Sequence, residues 1–90
     1  MNKTQNIIEL QKKLNKLSGS EFNSWEMGIY DQGEWITNPF SGVKYYLNNI
    51  ELSVYDLTVG AEKMGQKEIV GLCKDWFIEN NIKAYMALLD

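Results

Sequence analysis

The side chains able to do chemistry are few in this sequence. Asp31 and Glu34, or either with Glu51, could be folded into a carboxylate pair of the kind a general acid–base hydrolase needs. Nothing in their spacing singles out one pair, so the preferred reading is acids on solvated faces. Cys73 is the one thiol, set among Leu72, Trp76 and Phe77 in a helix-like stretch. With no histidine to activate it, it reads as a small buried hydrophobe, not a nucleophile.

The missing residue types exclude more than the present ones suggest. The chain has no His and no Arg, and its nine bases are all Lys. Without imidazole, the group best matched to proton transfer near neutral pH is absent. One Cys and no His cannot supply the nitrogen and sulfur ligands of a zinc site within one chain, so no metal and no cofactor is expected. Without guanidinium and at a net charge of −3, nucleic-acid binding is disfavoured. No glycine-rich phosphate loop is present, because Gly60, Gly65 and Gly71 are scattered through helix-like sequence. The expectation is a protein that catalyses nothing by itself and works by contact.

Contact needs anchors, and the aromatics are unevenly placed. Phe22, Trp25, Tyr30, Trp35, Phe40, Tyr45 and Tyr46 account for seven of the 3 Trp, 5 Tyr and 3 Phe. A small domain also needs large side chains simply to build a core, which is the blander reading of the cluster. Strand alternation divides it: Val43, Tyr45 and Leu47 share one face, Lys44 and Tyr46 the other, and the lysine-bearing face is the one expected outside. Trp35, Phe40 and Tyr46 are therefore the candidate contacts. Charge is uneven too. Between Ser18 and Glu62 seven acids face Lys44 alone, a local −6, while residues 1–17 set four Lys against Glu9, a local +3. Opposite patches suit docking onto a basic surface or head-to-tail pairing; the plainer reading is solvated faces.

These residues must be positioned by a single domain spanning 1–90, mainly α with some β: three to four helices and one β-hairpin at about residues 34–47. In residues 4–17, Ile7, Leu10, Leu14 and Leu17 form one helical stripe, started by Thr4 or by an Asn6–Glu9 capping pair. That helix is a candidate oligomerisation arm, its stripe the self-association seam. Residues 20–33 show no period, with room for a helical turn at 21–27. Trp35–Thr37 and Val43–Leu47 read as strands around Asn38-Pro39-Phe40-Ser41-Gly42, where Pro sets the first turn angle and Gly takes a positive one. A second helix at 49–64 opens on an Asn48–Glu51 capping box, carries Ile50, Val54, Leu57, Ala61 and Met64 as its core seam, and stops at Gly65. A third runs over 67–79. Asn80 and Asn81, in left-handed geometry, would separate it from a short helix at 82–89. Tyr55 is expected to hand its hydroxyl to the hairpin. No apolar run approaches the roughly 20 residues that cross a bilayer. No signal peptide is read at the start, and the lone cysteine fits a reducing cytoplasm.

Asn38-Pro39-Phe40-Ser41-Gly42, then Leu47, Glu51-Leu52-Ser53, Tyr55-Asp56 and Gly60, resemble a pattern in small uncharacterised proteins of bacteriophages and prophages. The ending Trp76-Phe77, Asn80, Ala84-Tyr85 and Leu88-Leu89-Asp90 is similar to the close of the same proteins, so the likeness covers residues 33–90. It implies a viral origin, a host-cytoplasmic setting and a small helical domain, and brings no activity and no site residues.

The expected function is thus a non-enzymatic interaction protein, phage-encoded on that resemblance, bound to a partner protein or to itself. The alternatives are a protein that sequesters a small ligand in an aromatic-lined pocket and a minor structural component of the virion.

Overall fold

The computed structural model describes residues 3–17 and 30–90. Among these are α1 (Lys3–Leu17), β1 (Glu34–Thr37), β2 (Lys44–Leu47), α2 (Asn49–Lys63), α3 (Lys67–Asn80) and α4 (Ile82–Leu88). The architecture is mainly α with one antiparallel hairpin, as expected. The helical turn at 21–27, together with Phe22 and Trp25, lies outside the described residues.

The α2–α3 pair is the centre of the fold. α1 lies chiefly against α3 and touches α2, while α4 bridges α3 to β2. Leu10, Leu14, Leu47, Val54, Ala61, Ile69, Cys73, Phe77 and Ala84 fill the space between them. Trp76 meets Phe77 edge-on, with centroids 5.1 Å apart and planes at 88°, a favoured aromatic geometry. Leu10 and Leu14 are thus buried in the chain's own core, and Ile7 packs against it. The seam proposed for self-association is used inside the monomer; the side chain of Leu17, its fourth member, lies outside the described residues. Nor do Thr4 or Asn6 start α1. It begins ahead of both, at Lys3.

α2 starts as its sequence dictates. The Asn48 side chain accepts from Glu51 N at 2.8 Å, and Glu51 Oε1 accepts from Asn48 N at 3.0 Å. It ends in a glycine-capped turn: Gly65 takes φ +72°, Gly65 N donates to Glu62 O, and Gln66 N donates to Ala61 O. That turn corrects the seam at its last member, because Met64 is the cap residue and is 66% exposed. The most deeply covered stripe of α2 is Glu51, Val54, Thr58 and Ala61, which includes two polar residues. Thr58 fits because its hydroxyl donates back to Val54 O at 2.7 Å.

Glu51 fits because it completes a network. Its Oε2 accepts from Asn81 Nδ2 at 2.9 Å; Asn81 Oδ1 in turn accepts from Ala84 N at 3.2 Å and from the Tyr45 hydroxyl at 3.3 Å. One buried carboxyl therefore links the start of α2, the α3–α4 junction and β2. The junction is not left-handed. Asn81 sits at φ −159°, ψ 79°, and no residue but glycine has positive φ among those described. The helix stops there because Asn81 turns extended and caps α4 with its side chain. The bond expected from the Tyr55 hydroxyl to the hairpin is not seen among the described residues; the hairpin is tied instead by its own Tyr45 hydroxyl, which donates to Asn81 at the α3–α4 junction.

Two stability experiments check this account. Asn81→Ala removes a helix cap together with its bonds to Glu51 Oε2 and the Tyr45 hydroxyl, so urea unfolding should show a loss of about 2–4 kcal/mol. Leu14→Ala should cost roughly 2–5 kcal/mol, by an amount that does not depend on protein concentration. A concentration-dependent loss would return the stripe to a seam between chains.

Candidate binding surface on the hairpin

The hairpin register pairs Glu34 with Leu47, Trp35 with Tyr46, Ile36 with Tyr45 and Thr37 with Lys44. Alternation then sends Trp35, Thr37, Lys44 and Tyr46 to one face, and Ile36, Tyr45 and Leu47 to the other. The inner set is covered: Leu47 is fully buried, and Ile36 and Tyr45 pack on the core. Val43, grouped with them from the sequence, lies beyond the strand end and is exposed. On the outer face Trp35 is 64% and Tyr46 47% exposed, and the two rings touch edge-to-face at 5.6 Å and 67°.

Two anchors hold this face in place. Asn38 is buried; its Oδ1 accepts from Phe40 N at 2.8 Å and Ser41 N at 3.3 Å, and its Nδ2 donates to the Ala87 carbonyl at 2.9 Å. The loop is thereby folded on itself and pinned to the end of α4, with Gly42 at φ +78° closing it through a 2.9 Å bond to Asn38 O. At the other end the chain passes under Tyr46 at Gly33. A Cβ there would overlap the Leu47 carbonyl, lie 2.6 Å from the Tyr46 hydroxyl and 2.8 Å from Asn48 Cα. Only glycine fits.

Of the three candidate contacts, the structure joins Trp35 and Tyr46 and sets Phe40 apart. Phe40 is 97% exposed at the loop and borders a groove of about 320 Å³ with Tyr55, Val59, Leu88 and Leu89. A second groove, of about 350 Å³, runs between the inner side of β1 and α2 and is lined by Tyr30, Gly33, Glu34, Ile36, Tyr55 and Asp56. The neighbouring Asp56 carboxylate, as an acceptor for the Tyr30 hydroxyl and as a negative charge, raises the Tyr30 pKa above the usual value, and Glu34 adds to the effect. Tyr55 is raised by burial and then by Glu62. Tyr30 is held from its backbone, its N–H donating at 3.0 Å to Ser53 Oγ, which itself donates to Asn49 O. Nothing in the aperiodic stretch before Gly33 signals this role for Tyr30. Tyr55-Asp56 was visible as a pair flanking the α2 seam.

The residues considered for catalysis are dispersed or committed. Both Glu51 oxygens accept hydrogen bonds within the fold, whereas Asp31 and Glu34 are exposed. Cys73 is buried, and burial pushes its thiol up to about 11, against a smaller opposing effect of the Thr58 hydroxyl. Among the described residues no group of three His, Cys, Asp or Glu is placed to hold a metal ion, and no helix is long and apolar enough to cross a membrane. No family model matches the sequence, and no curated protein or solved structure is significantly similar to it.

Two outcomes are expected of these placements. Phe40→Ala should leave the unfolding free energy within about 0.5 kcal/mol of wild type, as for other surface changes, measured by urea titration; a loss of several kcal/mol would make Phe40 a core residue. The Cys73 thiol is held protonated more firmly in the folded chain than in the unfolded one. Stability is therefore intact below pH 9.0, the ordinary thiol value, and should decline as pH rises from there through about 11. Cys73→Ala should flatten that part of the profile.

Proposed function

We propose that this chain is a non-catalytic interaction protein that docks a partner protein on the outer face of its hairpin. The observation that carries the reading is the Trp35–Tyr46 pair: two large rings in mutual contact, left open to water on a backbone clamped at both ends. Isolated exposed apolar residues are ordinary in soluble proteins, but a preorganised pair of the two residue types most enriched at binding hot spots is not. Within the fold a cross-strand pair of this kind contributes only about 0.2–1 kcal/mol, too little to account for leaving both rings open. A fixed backbone also lowers the ordering cost of association.

The absence of His and Arg from the sequence and the sealing of the one thiol favour contact over turnover. Self-assembly through α1 is not part of this reading, since Leu10 and Leu14 are spent on the core. The phage resemblance of residues 38–60 and 76–90 supports a partner within an infected cell.

Removing the two rings tests the proposal. Trp35→Ala/Tyr46→Ala should unfold within about 1 kcal/mol of wild type yet lose at least tenfold in affinity for any protein that binds the purified wild-type chain with 1:1 stoichiometry in calorimetry. Equal affinity of the double variant would move the interface elsewhere. Turnover of a substrate by the purified polypeptide would refute the non-catalytic part.

A further inference from the structure

The outer face is one side of the hairpin; its edge offers a second, directional kind of recognition. Asn38 N donates to Val43 O at 2.8 Å, which phases the ladder. Counting back along the register, Ile36–Tyr45 and Glu34–Leu47 are the hydrogen-bonded pairs, while Trp35–Tyr46 and Thr37–Lys44 are the non-bonded ones. The backbone N–H and C=O groups of Trp35 and Thr37 therefore point away from β2. Among the described residues the sheet has two strands; β2 is flanked by α2 and α4, and β1 pairs with nothing but β2. Such an edge is a template for an added strand.

The groove beside that edge tells what the added strand should carry. Glu34 and Ile36 of β1 line it together with Tyr30, Tyr55 and Asp56, and Gln32, Gly33 and Leu52 complete its wall. It is lined by two carboxylates and two phenol rings and by no lysine. Charge complementarity and ring faces together suit an ammonium or guanidinium group on an alkyl stem. A second copy of this chain fits poorly, because its own β1 would bring another Glu34 toward the same acids.

We infer that the β1 edge accepts an extended segment of a partner protein as a third strand, with alternate Lys or Arg side chains of that segment entering the groove between Glu34, Asp56, Tyr30 and Tyr55. The residues between them lie against Trp35 and Thr37 on the outer face. This rests on the hairpin being the partner-binding surface and adds the partner's chemistry: extended, basic at every second position.

The probe is the synthetic peptide acetyl-(Val-Lys)3-amide, titrated into the 15N-labelled protein and followed by NMR. Shifts should concentrate at residues 33–37, and the Trp35 and Thr37 amides should gain protection from hydrogen exchange. Acetyl-(Val-Glu)3-amide should bind at least tenfold more weakly, and so should a (Val-Lys)3 peptide N-methylated along one edge, which keeps its charges but cannot pair. Thr37→Pro deletes an outward N–H without touching the β1–β2 bonds and should likewise cost at least tenfold. Absence of binding by (Val-Lys)3, equal binding of the acidic peptide, or undiminished binding of the N-methylated one overturns the inference. The hairpin surface itself stands or falls separately, on the Trp35/Tyr46 double variant.

Discussion

The fold depends on a carboxyl group almost wholly withdrawn from water. Glu51 lies within the second helix of a chain too small for a large apolar core, and its two oxygens are divided between different parts of the molecule. One finishes the cap of α2 and the other is held by the amide of Asn81. A buried carboxyl of this kind is costly unless its partners are all present, so the start of α2, the α3–α4 junction and β2 must come together or not at all. Asn81 is the hinge of that condition, serving Glu51, Tyr45 and the first turn of α4 at once.

The same economy sets the hairpin. A lone two-stranded ribbon is marginal in water. Here the inner face gives Leu47 to the core and Tyr45 to the polar network, and the loop is fastened to α4 by Asn38. With the inner face and both ends secured, the outer face and the β1 edge carry little structural duty. A surface with so little structural duty can change with small effect on folding.

Much of this was legible from residue order because its causes are local. The capping box, the glycine stop at Gly65, the Asn38–Gly42 turn and the inside–outside division of β2 each follow from residues within a few positions of one another. What was not legible is what depends on distant partners. Glu51 reads as a cap and no more until Asn81, thirty positions on, is seen to hold its other oxygen. Thr58 breaks an apolar pattern that its bond to Val54 O restores. The helix break at Asn80–Asn81 was foreseen with the wrong geometry, since sequence suggests what asparagine tolerates locally and not which cap it will serve. In the candidate surface, Trp35 and Tyr46 follow from alternation, but their contact needs the register, and the Tyr30–Asp56 groove needs α2 beside β1. The stripe of α1 shows the limit of pattern reading most clearly: an apolar seam announces that it will be covered, not by which chain.

Gly33 and Phe40 stand only seven positions apart, yet they face opposite evolutionary freedoms. At Gly33 every atom added beyond the backbone meets the Leu47 carbonyl, so drift there is closed whatever the protein binds. At Phe40 almost nothing constrains the side chain, so packing leaves its identity open. The fold therefore closes the first site to every side chain and leaves the second open to many.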